Sequence, residues 1–217
     1  MDTLISRYPP GYIEILGSVS VQLIYIAFGL VVERFRPAYK SSTTPKMLIQ
    51  SLRNHIVATL MHVAYVFLRG GRSVLTRTFT PPYSLPTPGE LLIDLVLALT
   101  MRDAVFWAIH RLWHAPGIYR FVHAKHHEVR RPGDHHILTI SYMTVTDFVF
   151  LYGLPVVGVA KVLEMNILTT LIYSFVSAAG EQVKLVWGDE AHDKHHLSGK
   201  GNYGVYGVMD WVFGTAK

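Results

Sequence analysis

Three groups of closely spaced histidines carry most of the chemical information in this sequence. Box one is His110-x-x-x-His114, box two is His123-x-x-His126-His127 and box three is His192-x-x-His195-His196. Residues three and four apart share one face of a helix, so each box is predicted to aim its imidazoles in one direction. A random chain of this composition would rarely contain the H-x-x-H-H pattern twice. Eight neutral imidazoles are enough to hold two metal ions with positions left open. The predicted metal ligands are His110, His114, His123, His126, His127, His192, His195 and His196.

The residue types restrict the metal and the chemistry. Imidazole suits iron, copper and zinc. The chain has no cysteine, which excludes thiolate zinc sites, disulfides and a cysteine nucleophile. His55 and His62 stand alone in an apolar run, so we interpret them as hydrogen-bonded interfacial residues rather than ligands. His135 and His136 stand where the chain returns to the membrane, and they are candidates for a metal bond or an outer hydrogen bond.

Carboxylates next to the boxes are candidates for orienting the ligands. Asp103 precedes box one, Glu128 follows box two and Asp193 lies inside box three. Each could accept a ring N–H from a ligand and fix its tautomer. The alternative is a solvated charge on a helix surface.

The composition places the boxes in a membrane protein. Of 217 residues, 50% are hydrophobic and 16% are charged, against about 25% charged residues in soluble domains. The length suits one domain. The formal charge is +5, but the basic residues flank apolar runs, so membrane lipid is a better partner than nucleic acid. This distribution predicts that the boxes lie on the cytoplasmic side, with Arg102 and the other basic residues as lipid-facing charges.

Two N-terminal runs are predicted to enter the membrane. Residues 15–32 form an uncharged stretch of 18 residues, which is long enough to span a bilayer. Glu33 and the arginines after it end this run as a stop-transfer flank would, so we interpret it as an anchor and not as a removed signal peptide. Residues 54–68 are shorter, and the alternatives are a span in a thinned bilayer or a helix partly in the interface.

The remaining elements complete a helical architecture. Residues 70–89 contain four prolines and are predicted to be an exposed connection. A helix from Glu90 to His110 is predicted to leave the membrane near Arg102 and Asp103. Residues 137–160 and 162–180 are predicted to form a helical hairpin that enters and leaves on one side.

The predicted fold is an all-α integral membrane protein with four to five membrane helices and a cytoplasmic, histidine-rich helical cap. We expect residues 1–89 to form the anchor helices and a loop. Residues 90–217 are expected to form the histidine-box domain, with a membrane hairpin at about 137–183.

The order of the three boxes resembles the fatty acid hydroxylase superfamily, also called the sterol desaturase family. The resemblance covers roughly residues 94–215. It implies an integral endoplasmic-reticulum enzyme that holds two irons and uses dioxygen. It also implies electrons from a separate b-type cytochrome or reductase. Further matching residues are Arg102-Asp103, Trp107 and Arg111 around box one, and Asn202-Tyr203-Gly204, Asp210-Trp211 and Phe213-Gly214-Thr215 after box three.

The resemblance implies oxidation of a lipophilic substrate, and we favour hydroxylation over desaturation or C–C cleavage. The substrate could be a fatty acyl chain, a sterol, a terpenoid or a polyketide, because a hydrophobic cavity leaves no short motif. Two adjacent irons supply the reactivity toward an unactivated C–H bond, while the protein supplies orientation and a dry cavity.

The sequence departs from the family in the hairpin. Family members usually add histidines there, but residues 137–191 contain none. Three explanations stay open: Glu181 or Gln182 substitutes, His135 and His136 fold back, or one metal is undercoordinated. The last would make the protein a non-redox or degenerate metal-binding membrane scaffold of the same fold, which is the alternative function.

Overall fold

Helices and turns make up the described part of the chain. The computed structural model describes residues 8–36, 41–75, 85–187 and 190–217, and these ranges contain no strand. The predicted all-α class is confirmed for these residues. The α-helical segments are α1 (Pro10–Phe35), α2 (Pro45–Leu68), α3 (Pro88–Trp113), α4 (Tyr119–Val122), α5 (Val145–Val162), α6 (Ile167–Trp187), α7 (Glu190–Ser198) and α8 (Val208–Val212).

The three long N-terminal helices begin at a proline. The first helical turn tolerates this residue, which has no backbone N–H, because N–H groups in that turn have no partner within the helix. Thr87 also accepts a hydrogen bond from the Glu90 backbone N–H, and the Glu90 carboxylate accepts one from Thr87 N at 2.8 Å. This capping box starts α3 two residues before the predicted Glu90. The predicted apolar runs at 15–32 and 54–68 lie inside α1 and α2.

Two of the described helices are long and apolar enough to cross a membrane. They are α1, in which a stretch of 18 residues has a mean hydropathy of 2.2, and α5, whose 18 residues have a mean hydropathy of 1.6. On α1, large apolar side chains such as Leu16, Leu23 and Phe35 are exposed, as lipid-facing residues would be. The α5 helix contains one π-helical stretch at Val149–Gly153.

The predicted hairpin is present with shifted boundaries. Its helices are α5 and α6, and its turn follows Val162, where Glu164 adopts a positive φ of 49°. Residues 137–144 do not extend α5, which corrects the predicted start at 137. They instead include a buried 3-10 segment, Ile137–Ser141.

Side chains of α2 explain why this buried segment can be irregular. The Asn54 amide donates to the carbonyls of Ser141 at 2.9 Å and Met143 at 3.0 Å. Gln50 donates to the same Met143 carbonyl at 3.2 Å. Backbone groups that a longer helix would have paired are thus satisfied by the polar half of α2.

Helix α1 packs mainly against α6, and α3 packs against the hairpin and α8. The prediction that Arg102 faces lipid is wrong. Arg102 has no exposed surface, and its guanidinium forms an ion pair with Glu181 of α6. An unpaired charge in an apolar environment carries a large free-energy cost. The ion pair between α3 and α6 reduces this cost, which a guanidinium facing lipid alone would carry in full.

The predicted connection at residues 70–89 is described only in part, because residues 76–84 lie outside the described ranges. Before the gap, Gly71 has a φ of 80° and its carbonyl accepts from Gly11 N at 2.8 Å. The Ser73 hydroxyl donates to the buried Glu14 carboxylate. The start of this connection is therefore held against α1 rather than exposed along its whole length.

Candidate metal centre

The structure brings all eight box histidines together. They form two groups. Within each group, one ring nitrogen of every histidine lies within 4.8 Å of the corresponding nitrogens of the other members. We name them the first and second metal groups. The first contains His110, His114, His123, His127 and His195, and the second contains His126, His192 and His196.

The local structure of the boxes explains how they divide. Boxes one and three lie on helices as predicted, at the C-terminus of α3 and on α7. Box two departs from a regular α-helix, because His123 caps α4 and His126 begins a 3-10 turn. This bend turns the neighbouring rings of His126 and His127 by 87° relative to each other. Consecutive residues can therefore serve different groups.

Backbone carbonyls fix the tautomers of three histidines. The Nδ1 atom of His110 lies 2.8 Å from the Tyr203 carbonyl oxygen, and that of His195 lies 2.6 Å from the Gly201 oxygen. The Nδ1 atom of His196 lies 2.5 Å from the Val129 oxygen. A carbonyl only accepts, so Nδ1 carries the proton and Nε2 of the neutral ring keeps its lone pair.

A carboxylate completes this pattern at His123. Its Nδ1 atom lies 2.7 Å from Asp147 Oδ2, and both side chains are fully buried. The Nε2 atoms of His110 and His123 then lie only 2.9 Å apart, with lone pairs facing each other. In the second group, His196 Nε2 lies 2.8 Å from His192 Nε2 and 3.2 Å from His126 Nε2.

These separations test whether the residues fit a metal. Two facing lone pairs repel unless a cation binds both. Adjacent nitrogens around one ion with bonds of about 2.1 Å lie roughly 3 Å apart. One nitrogen pair of the first group and two pairs of the second have this spacing, and the remaining ligand atoms lie within 4.8 Å of them, so the donor set fits metal ions.

Further nitrogens of the first group also indicate a metal site. In the described ranges, Nε2 of His114, His127 and His195 is buried and has no hydrogen-bond partner. Burial lowers the pKa of His195 to about 2 and that of His114 and His127 to about 4. The rings are therefore neutral at pH 7, the form that binds metals. A bound cation would satisfy these otherwise unpaired atoms.

The loop after α7 positions ligands from two different helices. It supplies the carbonyls of Tyr203 and Gly201 that orient His110 and His195. Asp210 holds the loop by accepting from Tyr203 N at 2.8 Å, and Asp103 accepts from Tyr206 N at 2.7 Å. Asp103 therefore acts on box one through the loop, not through the predicted direct bond to a ligand.

The other predicted orienting carboxylates also have different partners. Glu128 accepts from the Tyr142 hydroxyl at 2.6 Å, and Asp193 lies 3.4 Å from the Gly133 N–H. Among the described residues, Asp147 is a carboxylate that does contact a box histidine, His123, and sequence reasoning missed it. Its signal was an ionisable residue inside the apolar run 137–160, a position that usually marks function in membrane proteins.

The remaining candidates lie outside the two metal groups. His135 Nδ1 is 3.5 Å from the Thr43 hydroxyl, and His136 Nδ1 accepts from Leu138 N at 3.2 Å. Glu181 is paired with Arg102. The Gln182 amide nitrogen lies 3.4 Å from the Tyr25 carbonyl of α1. The structure therefore gives no support to the predicted replacement of the hairpin histidines by these residues.

The isolated histidines have local partners, as predicted. His55 Nε2 lies 3.1 Å from the Ser141 hydroxyl, and His62 Nε2 lies 2.6 Å from the Glu14 carboxylate. Both contacts hold α2 to its neighbours. Neither residue belongs to a metal group within the described ranges.

A cavity of about 250 Å³ borders both metal groups. Its lining includes His110, His123 and His126, together with apolar residues such as Phe106 and Leu151. A mostly apolar cavity against the histidines suits a lipophilic molecule.

A comparison of the sequence with known protein families identifies the family of this chain. The sequence model of the family described as fatty acid hydroxylase matches residues 95–215, which is more than half of the chain. This chain belongs to the fatty acid hydroxylase family. The match begins in α3 and includes all three boxes, so the predicted superfamily is confirmed.

Relatives of this fatty acid hydroxylase family member have names that refer to different lipids. It is 28% identical to "Fatty acid hydroxylase ahd1" of Mycosarcoma maydis over 75% of the chain and 42% of that relative. It is 29% identical to "Methylsterol monooxygenase 2-2" of Arabidopsis thaliana, over 62% of the chain and 56% of that relative. It is 27% identical to "Very-long-chain aldehyde decarbonylase GL1-11" of Oryza sativa subsp. indica, over 83% of the chain and 71% of that relative.

The chain thus spans less than half the length of the Mycosarcoma maydis relative. No solved structure matches it significantly.

Proposed function

We propose that the protein is a membrane di-iron oxygenase that hydroxylates a lipophilic substrate. The observation that carries this proposal is the set of facing Nε2 atoms in two groups beside an apolar cavity. Membership of the fatty acid hydroxylase family supports an oxidoreductase of the monooxygenase type. The relatives named as hydroxylase and sterol monooxygenase support a lipid substrate.

The two metal groups would each hold one iron. Bound iron would supply the activation of dioxygen, and the overall reaction converts R–H, O₂, two electrons and two protons into R–OH and water. His110, His195 and His196 are held as Nε2 donors by backbone carbonyls, and His123 is held by Asp147. Phe106, Leu151 and their neighbours exclude water from the C–H bond that reacts.

The electrons come from outside this cavity. We propose a separate donor, a b-type cytochrome or a reductase, as the family resemblance implies. The described residues contain no cysteine cluster that could hold an iron–sulfur centre, since the sequence has no cysteine.

We further propose an endoplasmic-reticulum membrane location with the boxes on the cytoplasmic side. Exposed apolar residues on α2 and α3, such as Leu60, Phe67, Leu92 and Val96, support additional membrane contact beyond the two candidate spans. In this arrangement, residues 1–89 form the anchor and residues 90–217 form the histidine-box domain.

The orientation predicts the outcome of a glycosylation test. An N-glycosylation acceptor introduced beside the exposed Lys200, in the turn after α7, should stay unmodified when the protein is made in microsomes. The shift in gel mobility after glycosidase treatment measures modification. An acceptor on a lumenal loop of a control membrane protein shows that the microsomes are active. Glycosylation beside Lys200 would reverse the proposed orientation.

Metal exchange tests the function itself. Protein purified in mild detergent should contain about two irons per chain, because two groups of neutral imidazoles are present. Chelation should abolish oxygen-dependent oxidation of added lipid, and ferrous iron should restore it while zinc should not. Metal analysis and product mass spectrometry measure the two quantities. Full activity in an iron-free, zinc-loaded preparation would contradict the di-iron proposal, and stable zinc binding without any oxidation would favour the metal-binding scaffold.

A further inference from the structure

A buried ion pair lies at the edge of the cavity and is not part of either metal group. Arg102 of α3 and Glu181 of α6 have side chains that are 1% and 9% exposed. Their guanidinium and carboxylate groups are hydrogen-bonded to each other, and Arg102 Nη1 lies 3.3 Å from the Tyr206 hydroxyl. Burying two charges among apolar helices is costly. Nothing in the metal chemistry described above uses this pair.

The two partners differ in their access to the cavity. Glu181 lines it, together with Tyr152, Lys184 and Tyr206, whereas Arg102 is not among the lining residues. Arg102 thus lies behind Glu181 and holds the carboxylate in place. Glu181 is left as a fixed acceptor that faces the same cavity as the metal-binding histidines.

The carboxylate retains acceptor capacity. An ionised carboxylate has about four lone-pair sites. Arg102 and Tyr152 hydrogen-bond to Glu181 and use two of these sites. The other nearby carboxylate, Asp210, already accepts from Tyr203 N, Gly204 N and the Thr215 hydroxyl.

Two lysines line the cavity: Lys184, on the same helix as Glu181, and Lys217, whose side chain lies beside Gly201. Lys184 donates to the Val205 carbonyl at 2.5 Å, and its ammonium lies 5.5 Å from the centre of the Tyr206 ring. An anionic group placed beside Glu181 would meet a like charge, and the nearest guanidinium would already be paired. A hydroxyl or an amide N–H would instead donate to the carboxylate.

The size of the cavity limits what enters it. Its volume of about 250 Å³ is below the roughly 300–1,000 Å³ of sites that enclose a drug-sized ligand. It therefore takes one end of a long lipid, and the rest of the molecule lies outside it. The metal groups and Glu181 border this same small space.

We propose that Glu181, held by Arg102, selects lipids whose head carries a neutral hydrogen-bond donor, a hydroxyl or an amide, over lipids with a free carboxylate. This inference rests on the proposed function, since it names the substrate class of the same cavity. The carbon that reacts lies near the head of the lipid and not at the far end of its chain.

Three probes of equal chain length test the proposal: 1-hexadecanol, hexadecanoic acid and hexadecane. Each would compete with radiolabelled 1-hexadecanol for the iron-loaded, purified full chain under anaerobic conditions, so that no turnover occurs. We expect 1-hexadecanol to bind at least about tenfold more tightly than either other probe, the effect of one hydrogen bond to a buried charge. Equal binding of hexadecanoic acid and 1-hexadecanol would overturn the proposal.

Variants of the pair separate recognition from folding. Glu181→Gln keeps the shape but removes the negative charge, so the preference for 1-hexadecanol over hexadecanoic acid should fall to within about threefold. If that variant fails to fold with Arg102 unpaired, the double variant Arg102→Met with Glu181→Met removes both charges together. It should lose the preference for 1-hexadecanol over hexadecane. An unchanged preference in the folded variant would contradict the role of Glu181.

A matched control and a second measurement complete the test. Glu190→Gln removes an exposed carboxylate of α7 and should leave all three affinities unchanged. Iron content and oxygen-dependent lipid oxidation are measured on the same preparations. Iron and turnover without head-group preference would overturn this inference alone, whereas absence of iron would contradict the proposed function.

Discussion

Replacing His195 by alanine is expected to reduce oxygen-dependent turnover by at least about 100-fold, the upper range for changes in residues that only orient a metal ligand. His195 has no exposed surface, and its Nε2 atom belongs to the first metal group. The substitution removes a donor atom and leaves the Gly201 carbonyl without its ring N–H. Iron content should fall with turnover, while the chain stays membrane-inserted because α1 and α5 are unchanged. Iron analysis, product formation and resistance to carbonate extraction measure the three quantities.

The control for this variant is His55→Ala. That residue is a partly buried histidine outside the two metal groups, and its contact is with the Ser141 hydroxyl. Loss of one such hydrogen bond costs about 1 kcal/mol of stability and should leave most turnover intact. His126→Ala should behave like His195→Ala, because His126 belongs to the second group. Normal turnover by either box variant would contradict the di-iron proposal.

Substitution of Asp147 should weaken iron binding without removing a ligand. Asp147 accepts the Nδ1 proton of His123 in a fully buried environment, so it fixes the ring with Nε2 toward the first group. Partners of this kind contribute about 10- to 100-fold in metal affinity. We expect Asp147→Asn, which keeps a neutral acceptor, to lower the iron affinity by about 10-fold, and Asp147→Leu to lower it by about 100-fold. Titration of the metal-free protein with ferrous iron measures the affinity.

The matched control is Asp134→Asn, which changes an exposed carboxylate near the same cap. Its iron affinity should equal that of the unmodified protein. The order of the two Asp147 variants distinguishes orientation of His123 from a general loss of structure. Equal iron affinity in Asp147→Leu and the unmodified protein would show that His123 needs no such partner.

The sequence predicted the clustering of the box histidines better than it predicted the groups around them. The box histidines are recognisable because ligand spacing is local: His192 and His196 are four residues apart on one helix, and their Nε2 atoms lie 2.8 Å apart. The groups that orient them are less visible. Three are backbone carbonyls, which every residue has, so no residue type marks Tyr203, Gly201 or Val129 in advance.

Long-range pairing explains the other errors. Arg102 was predicted to face lipid because basic residues commonly flank membrane runs, but its partner Glu181 is 79 positions away. Gln182 was a candidate ligand because of its place in the hairpin, yet its side chain faces Gly29 and Tyr25 of α1. Which face of α6 meets α1 depends on the packing of the whole bundle, and neighbouring residues do not determine it.

The division of the boxes between the two metal groups has a consequence for biosynthesis. His195 belongs to the first group, and His192 and His196 belong to the second, so both groups need α7. A nascent chain that has inserted α1 and the α5–α6 hairpin but has not yet released α7 from the ribosome holds neither complete set of ligands. The proposed iron would therefore be acquired only after α7 has been made, and the ion would then tie α7 to the segments synthesised before it. Folding of the cap and delivery of iron would become one step, and a cell short of iron would accumulate chains in which no metal holds α7 to the other ligand-bearing segments.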